Sequence, residues 1–375
     1  MTPHAPSAAV PRVGTNDLPG PRSRMDLAVP VSVERLLREF LDDKAADLDG
    51  VDPELRTLVA TARDAVLGGG KRLRPMFGYW GWRGVVGLGP PAAPVLPALA
   101  ALELLHAFAL VHDDVMDDSP TRRGRPSAHA ALRAWHRDRG LTGDGTGFGR
   151  SAAILTGDLC LVWADELIAS AGLPAETVLA ARRVYDRMRV DAIYGQFLDL
   201  LGEVFPGWTL DRAELVARLK TACYTVAGPL LYGAALAGCP DPILETAYAR
   251  YGMALGEAFQ LRDDLLDVYG DPAVTGKPAG TDLRRGKPTP LLELARELAD
   301  RRQRCELERE LARGAQADVA RLGRLIRCTG AVERMETMID DRVVAANGAL
   351  SGAVVDPDTR AALARLAAAA TVRSA

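Results

Sequence analysis

Two aspartate clusters stand about 150 residues apart, His112-Asp113-Asp114-Val115-Met116-Asp117-Asp118 and Gln260-Leu261-Arg262-Asp263-Asp264-Leu265-Leu266-Asp267. Each sets an acidic pair four residues ahead of a further Asp inside an apolar run, so the carboxylates return to nearly the same side one helical turn later. The runs Pro97 to Val115 and Tyr251 to Val268 are apolar nearly all round and predict the most buried helices of the fold. Carboxylates at the ends of central helices must then face a cavity, and two such clusters predict two helices facing each other. Like charges gathered this way repel, so something positive belongs between them. Oxygen-only ligands favour a hard cation, and Mg²⁺ held by a few carboxylates plus substrate phosphates fits better than a closed protein cage.

The rest of the chain supplies the frame. At 375 residues and 48% hydrophobic content it can bury a substantial core. A net charge of −3 leaves no general basic surface, which argues against nucleic acid as a partner. Five cysteines, Cys160, Cys223, Cys239, Cys305 and Cys328, form no CxxC pair and read as reduced, buried packing residues of a cytoplasmic protein. The proline-rich N-terminus predicts a disordered extension over residues 1–28, ahead of one catalytic domain over 29–375. No stretch resembles a signal peptide or an uncharged span of about 20 residues, so stable membrane insertion is not expected.

From Val31 onward the periodicity predicts an all-α fold, a single-domain helical bundle around a central cavity. The expected helices are Ser32 to Asp47, Pro53 to Leu67, Arg74 to Leu88, Ala92 to Asp118, Ala128 to Asp138, Ala152 to Ala171, Ala175 to Leu201, Asp211 to Ala237, Pro242 to Tyr269 and Pro290 to Arg313, with three shorter ones after Gln316. Gly and Pro clusters mark the breaks. Gly143 to Gly149 superficially resembles a nucleotide loop, but it follows no strand and lacks a Lys-Ser/Thr ending, so it reads as a flexible connection.

Each acidic cluster has a basic loop downstream, Arg122-Arg123-Gly124-Arg125 after the first and Gly276-Lys277 with Arg284-Arg285-Gly286-Lys287 after the second. A third basic segment, Gly69-Gly70-Lys71-Arg72-Leu73-Arg74-Pro75, follows a glycine turn. Glycine permits close backbone approach, and guanidinium groups grip phosphate oxygens in pairs. Arg72 and Arg125 read as structural or solvent charges, and His112 and Asp118 stand undecided between a structural and a supporting role.

At these residues the chain resembles the trans-isoprenyl diphosphate synthases, the all-α polyprenyl synthetases. The match also includes Glu103-x-x-His106, Gly157-Asp158, Gly195-Gln196-x-x-Asp199, Lys220-Thr221 and Phe259-Gln260, in order and spacing from about residue 30 to 290. The resemblance implies a 1′-4 head-to-tail condensation of isopentenyl diphosphate with an allylic diphosphate. It implies three Mg²⁺ ions per site, held by Asp113, Asp117 and Asp263 with Asp114, Asp264 and Asp267 in support. Arg122, Lys220, Thr221, Gln260, Lys277 and Lys287 would contact the allylic diphosphate, and Lys71, Arg74, His106 and Arg123 the isopentenyl one without metal. Aromatic faces such as Phe108 or Phe259 would help stabilise the allylic cation. The resemblance also implies a homodimer with each site inside one subunit. The segment after Gly276 joins glycines to lysines and reads as a lid that closes on diphosphate.

The family rule for product length points to the residues four and five positions before the first Asp pair, here Ala109 and Phe108. A helical wheel puts Ala109 beneath Asp113 but Phe108 well round the helix, so the rule, not geometry, makes Phe108 the floor of the tail cavity. Small Ala109 with bulky Phe108, without an insertion in the first cluster, is the pattern of C20 synthases. Geranylgeranyl diphosphate is therefore the expected product, with farnesyl diphosphate as the alternative. A terpene cyclase would carry a different second metal motif and have no use for Lys71 and Arg74. A non-catalytic subunit would have lost a cluster, and a helical interaction protein explains neither the basic loops nor the buried acid.

Overall fold

In the computed structural model, residues 21–238, 241–271 and 279–371 are described, with side chains from residue 28 onward. The helices run α1 Pro21–Ala46, α2 Leu55–Leu67, α3 Leu73–Val86, α4 Leu96–Met116, α5 Ala128–Asp138, α6 Gly145–Ala169, α7 Ala175–Val204, α8 Leu210–Val216, α9 Gly228–Leu236 and α10 Pro242–Tyr269. Shorter C-terminal helices follow, Thr281–Arg285, Pro290–Leu298, Arg301–Leu311, Val319–Cys328, Ala331–Ala349 and Pro357–Thr371. The only strands among the described residues are a two-residue hairpin, Thr121–Arg122 against Arg125–Pro126. The all-α expectation is met.

Much of the expected extension, residues 1–20, lies outside the described residues, and α1 begins at Pro21. Two further readings need correction. Gly145 to Gly149 is not a connection: Asp144 accepts a hydrogen bond from the Thr146 amide at 2.9 Å, and this cap starts α6 well before Ala152. Pro290 to Arg313 is two helices, because Asp300 and Gln303 form a capping box that opens a new one.

The core surrounds α4, where Ala98 through Leu105 are nearly all inaccessible to solvent. With its preceding turn, Ala93–Met116 has the length and mean hydropathy, 1.8, of a membrane span, yet 61% of its most apolar window is buried in the bundle. Composition alone would misplace it. A second cluster gathers Leu261, Leu265, Leu292, Leu322 and Ile339 around the C-terminal helices. α10 belongs to both, sending Tyr248, Tyr251 and Leu255 into the first cluster and Ala258, Leu261 and Leu265 into the second. Its acidic end thus lines the same cavity as the end of α4. The expectation for the cysteines holds only in part: Cys160 is buried, Cys223 half-buried, Cys305 and Cys328 exposed, and Cys239 lies outside the described residues.

Candidate active site

Between α8 and α9 the chain is π-helical from Ala217 to Ala227, a wider coil that carries Lys220, Thr221, Tyr224 and Thr225. It is clamped backbone against backbone. A Cβ on Gly195 of α7 would lie 2.2 Å from the Lys220 nitrogen, and one on Gly256 of α10 would lie 2.4 Å from the Ala222 Cα. Only glycine at these positions lets α7 and α10 approach closely enough to aim Lys220 and Thr221 at the cavity.

That cavity measures about 1170 Å³ and takes in both cluster ends, with Asp113, Asp117, Asp263, Asp264 and Asp267 on its wall. Lys71, Arg74, His106, Arg122, Arg123, Lys220, Thr221, Gln260 and Lys287 line it too, as do Phe108, Ala109 and Phe259. Two expected site residues stand apart. Lys277 lies outside the described residues. Asp114 is not on the cavity wall: one step round the helix from Asp113, it is buried and receives a hydrogen bond from Arg122 Nε at 2.9 Å. It is placed to aim Arg122 rather than to meet a metal from the cavity.

The first cluster is held in a lattice of ion pairs. Lys220 Nζ lies 2.9 Å from Asp113 and 2.6 Å from Asp199, and Lys287 Nζ lies 2.6 Å from the same Asp199 oxygen. Burial alone would raise the Asp113 pKa, but the charges of Lys220, Arg122 and Lys287 hold it well below the usual carboxylate range. The lysines respond in kind. Burial disfavours the charge on Lys287, yet Asp199, Asp282 and Asp117 push its pKa above the ordinary value. Arg285 closes the far side, its Nη1 at 2.9 Å from the Asp117 carboxylate and its Nη2 at 2.8 Å from Glu203.

The second cluster is braced by the π-helical stretch. Gln260 accepts from the Thr221 hydroxyl and donates to Asp264 Oδ1 at 2.8 Å, so the π-helical stretch fixes the amide and the amide fixes the carboxylate. Asp264 Oδ2 is buried without a hydrogen-bond partner. Burial first, and then the neighbouring Asp282, Asp263 and Asp267, push the Asp264 pKa well above its ordinary value. An orphaned carboxylate oxygen among like charges is what a missing cation leaves behind, so these residues fit a divalent metal. Among the described residues no three His, Cys, Asp or Glu side chains are gathered closely enough to hold a metal alone. Such a site needs ligands from elsewhere, as phosphate oxygens would provide.

A separate part of the cavity wall gathers arginines. Arg74 lies over the Tyr224 ring at 4.2 Å and donates to Thr225 Oγ1 at 2.8 Å. His106 shares a hydrogen bond with the Tyr224 hydroxyl, and burial, together with Arg74, Arg123 and Arg122, pulls its pKa well below the ordinary value and keeps it neutral. Arg123, in a left-handed backbone conformation, reaches the Gly69 carbonyl. A Cβ on Gly70, whose φ is +127°, would lie 2.9 Å from the Arg123 guanidinium. Arg72, also on the wall, is buried and paired with Glu103 at 2.6 Å.

Sequence reasoning missed the parts that act between elements. Asp199 was recognised within a motif but given no role, and it ties Lys220 to Lys287. Tyr224, Arg285 and Glu203 were not singled out, although the Arg285 position in a basic loop near the second cluster was a usable signal.

Comparison with known proteins agrees with this geometry. A family model described as Polyprenyl synthetase matches residues 56–327. The geranylfarnesyl diphosphate synthase of Aeropyrum pernix is 34% identical over 303 residues, 80% of this chain and 87% of that one. The geranylgeranyl diphosphate synthase of Mycobacterium tuberculosis is 37% identical over 270 residues, 70% of each chain. The crystal structure of a Corynebacterium glutamicum geranylgeranyl pyrophosphate synthase, complexed with isoprenyl diphosphate and magnesium, superposes with a TM-score of 0.88 at 40% identity, covering 92% of this chain and 99% of that one. The family uses divalent metal and acts on isopentenyl and allylic diphosphates. The relatives' names span more than one product length. The chain belongs to the polyprenyl synthetase family and is a prenyltransferase, a short-chain trans-prenyl diphosphate synthase.

Proposed function

We propose that this chain is a Mg²⁺-dependent geranylgeranyl diphosphate synthase that joins isopentenyl diphosphate to an allylic diphosphate. The observation that carries the reading is one cavity that gathers the ends of both aspartate clusters, with Asp264 strained by burial and like charge, and a separate cationic group, with Phe108 and Ala109 beside Asp113. Mg²⁺ bound with the allylic diphosphate would neutralise charge on the departing group. Asp113, Asp117, Asp263, Asp264 and Asp267 are the residues that would hold it, as the three ions the family resemblance implies.

The chain's own groups do the rest. Arg122, Lys220, Lys287, Lys277 and the Thr221-oriented Gln260 bind allylic diphosphate oxygens, while Lys71, Arg74, Arg123 and neutral His106 bind the isopentenyl group. The allylic carbon–oxygen bond breaks and the isopentenyl double bond forms the new carbon–carbon bond. The proton it then loses passes to the released diphosphate. Phe259 lines the cavity and offers an aromatic face to the cation, and the apolar wall keeps out water that would quench it.

Two further features belong to the same reading. On α7, Val190, Tyr194, Phe197 and Val204 are exposed at helical spacing, as are Leu155 and Val162 on α6, and a second copy of this chain is the partner that would cover them. Because α10 contributes to both hydrophobic clusters, residues 29–375 act as one catalytic domain. The described cysteines are unpaired, which suits a cytoplasmic setting.

Incubating the purified protein with isopentenyl and farnesyl diphosphates, with Mg²⁺ or with chelator, and separating the products tests the assignment. A C20 product that requires Mg²⁺ is expected; absence of C20 product sinks the geranylgeranyl reading.

A further inference from the structure

We infer that His112 sets the length of the product by holding the Phe108 ring in the cavity wall. The inference rests on the reading of Phe108 as the residue that stops the growing tail. Phe108 and His112 stand one turn apart on α4, and both line the cavity. Their ring centroids are 4.6 Å apart with the planes at 60°, within the range in which aromatic rings attract.

The imidazole is itself fixed from behind. His112 Nε2 lies 2.9 Å from the backbone carbonyl oxygen of Ile154 on α6. A carbonyl can only accept, so that nitrogen carries the proton and donates it. The space for the ring exists because residue 157 is glycine: a Cβ there would lie 2.3 Å from His112 Cδ2 and 2.4 Å from Nε2. Gly157 therefore makes a slot in α6, His112 fills it, and the filled slot leaves Phe108 no room to turn away from the tail. With the imidazole removed, a void of ring size opens beside Phe108. A half-buried phenylalanine has only two side-chain torsions to change in order to enter that void, and doing so deepens the cavity. His112 acts through Phe108, so it is a positioning residue. This also accounts for the Gly157-Asp158 motif, whose glycine touches no substrate in the scheme above.

The test compares products made from isopentenyl and farnesyl diphosphates by the parent and by Phe108→Ala, His112→Ala, the double variant and His112→Phe, with folding checked by circular dichroism. His112→Ala is expected to raise the ratio of longer products to C20 by about tenfold, the discrimination that small changes of pocket shape command. The double variant should go no further than Phe108→Ala, and His112→Phe, which restores a ring to the slot, should restore C20. Where His112→Ala does not fold, His112→Asn, which keeps a donor for the Ile154 carbonyl but no ring, carries the same expectation. If Phe108→Ala lengthens the product while His112→Ala only slows turnover, the inference is overturned and the reading of Phe108 stands. If Phe108→Ala leaves the product unchanged, the reading of Phe108 falls and takes the inference with it.

Discussion

His106 meets Arg74, Arg123 and Arg122 as a neutral imidazole, and this has a measurable signature. Its folded pKa lies below the unfolded value of about 6.5, so as pH falls through that value the unfolded chain takes up a proton that the folded chain refuses. His106 thus subtracts stability on the acid side, at up to about 1.4 kcal/mol per pH unit, until the folded pKa is reached. His106→Gln keeps a polar partner for Tyr224 and removes the titration. Urea unfolding at pH 7 and pH 5.5 should show the variant losing less stability than the parent. The same residue marks a limit of sequence reading. Its place three residues after Glu103 was legible, whereas its protonation state depends on arginines from two separate segments that only the fold brings together. Asp263 and Asp264 show the converse: their acidity within an apolar run was plain, because helical geometry relates neighbours without any knowledge of the fold.

At the scale of the element, the π-helical stretch is the part that sequence could not reveal. Asp211 to Ala237 reads as one ordinary helix, and nothing local in Lys220-Thr221 marks the wider coil, against which Gly195 and Gly256, far away in the chain, pack closely. Gly256→Ala should therefore cost about 1–3 kcal/mol of stability by overpacking and lower kcat, because Thr221 and Lys220 shift with the backbone. Gly348→Ala, in a helix with no atom within 4 Å of the new methyl, should be neutral or stabilise by about 0.4–1 kcal/mol. Thermal unfolding and steady-state kinetics on the pair check both expectations. Helix starts followed the same logic. Asp300-x-x-Gln303 was a readable capping box inside a pattern continuous enough to hide it, and Asp144 turned a glycine-rich segment into helix because one side-chain oxygen satisfied the Thr146 amide.

Over the whole molecule, cations of the chain already occupy much of the acidic wall, and no metal cage is preformed among the described residues. Metal and diphosphate should therefore bind together better than either binds alone. Mg²⁺ at millimolar concentration is expected to shift the melting temperature little, and Mg²⁺ with inorganic diphosphate to stabilise by about 3 kcal/mol at a hundredfold excess over Kd. Equal shifts in the two conditions would count against this coupling. Assembly is tested at Val162, exposed on α6 and absent from the cavity wall. Val162→Glu, which puts a charge on the face proposed for pairing, should convert the proposed dimer into a monomer in analytical ultracentrifugation.

Asp199 is shared by two lysines that the proposed reaction assigns to the diphosphate, and this bears on how a cycle ends. A site whose lysines had no other partner would hold inorganic diphosphate as firmly as it held the substrate, and turnover would stall on the leaving group. Here each lysine has a carboxylate waiting at hydrogen-bond distance, so letting go of the anion costs the protein little. On that reading Asp199 speeds the release of diphosphate, the step that frees the enzyme to begin again.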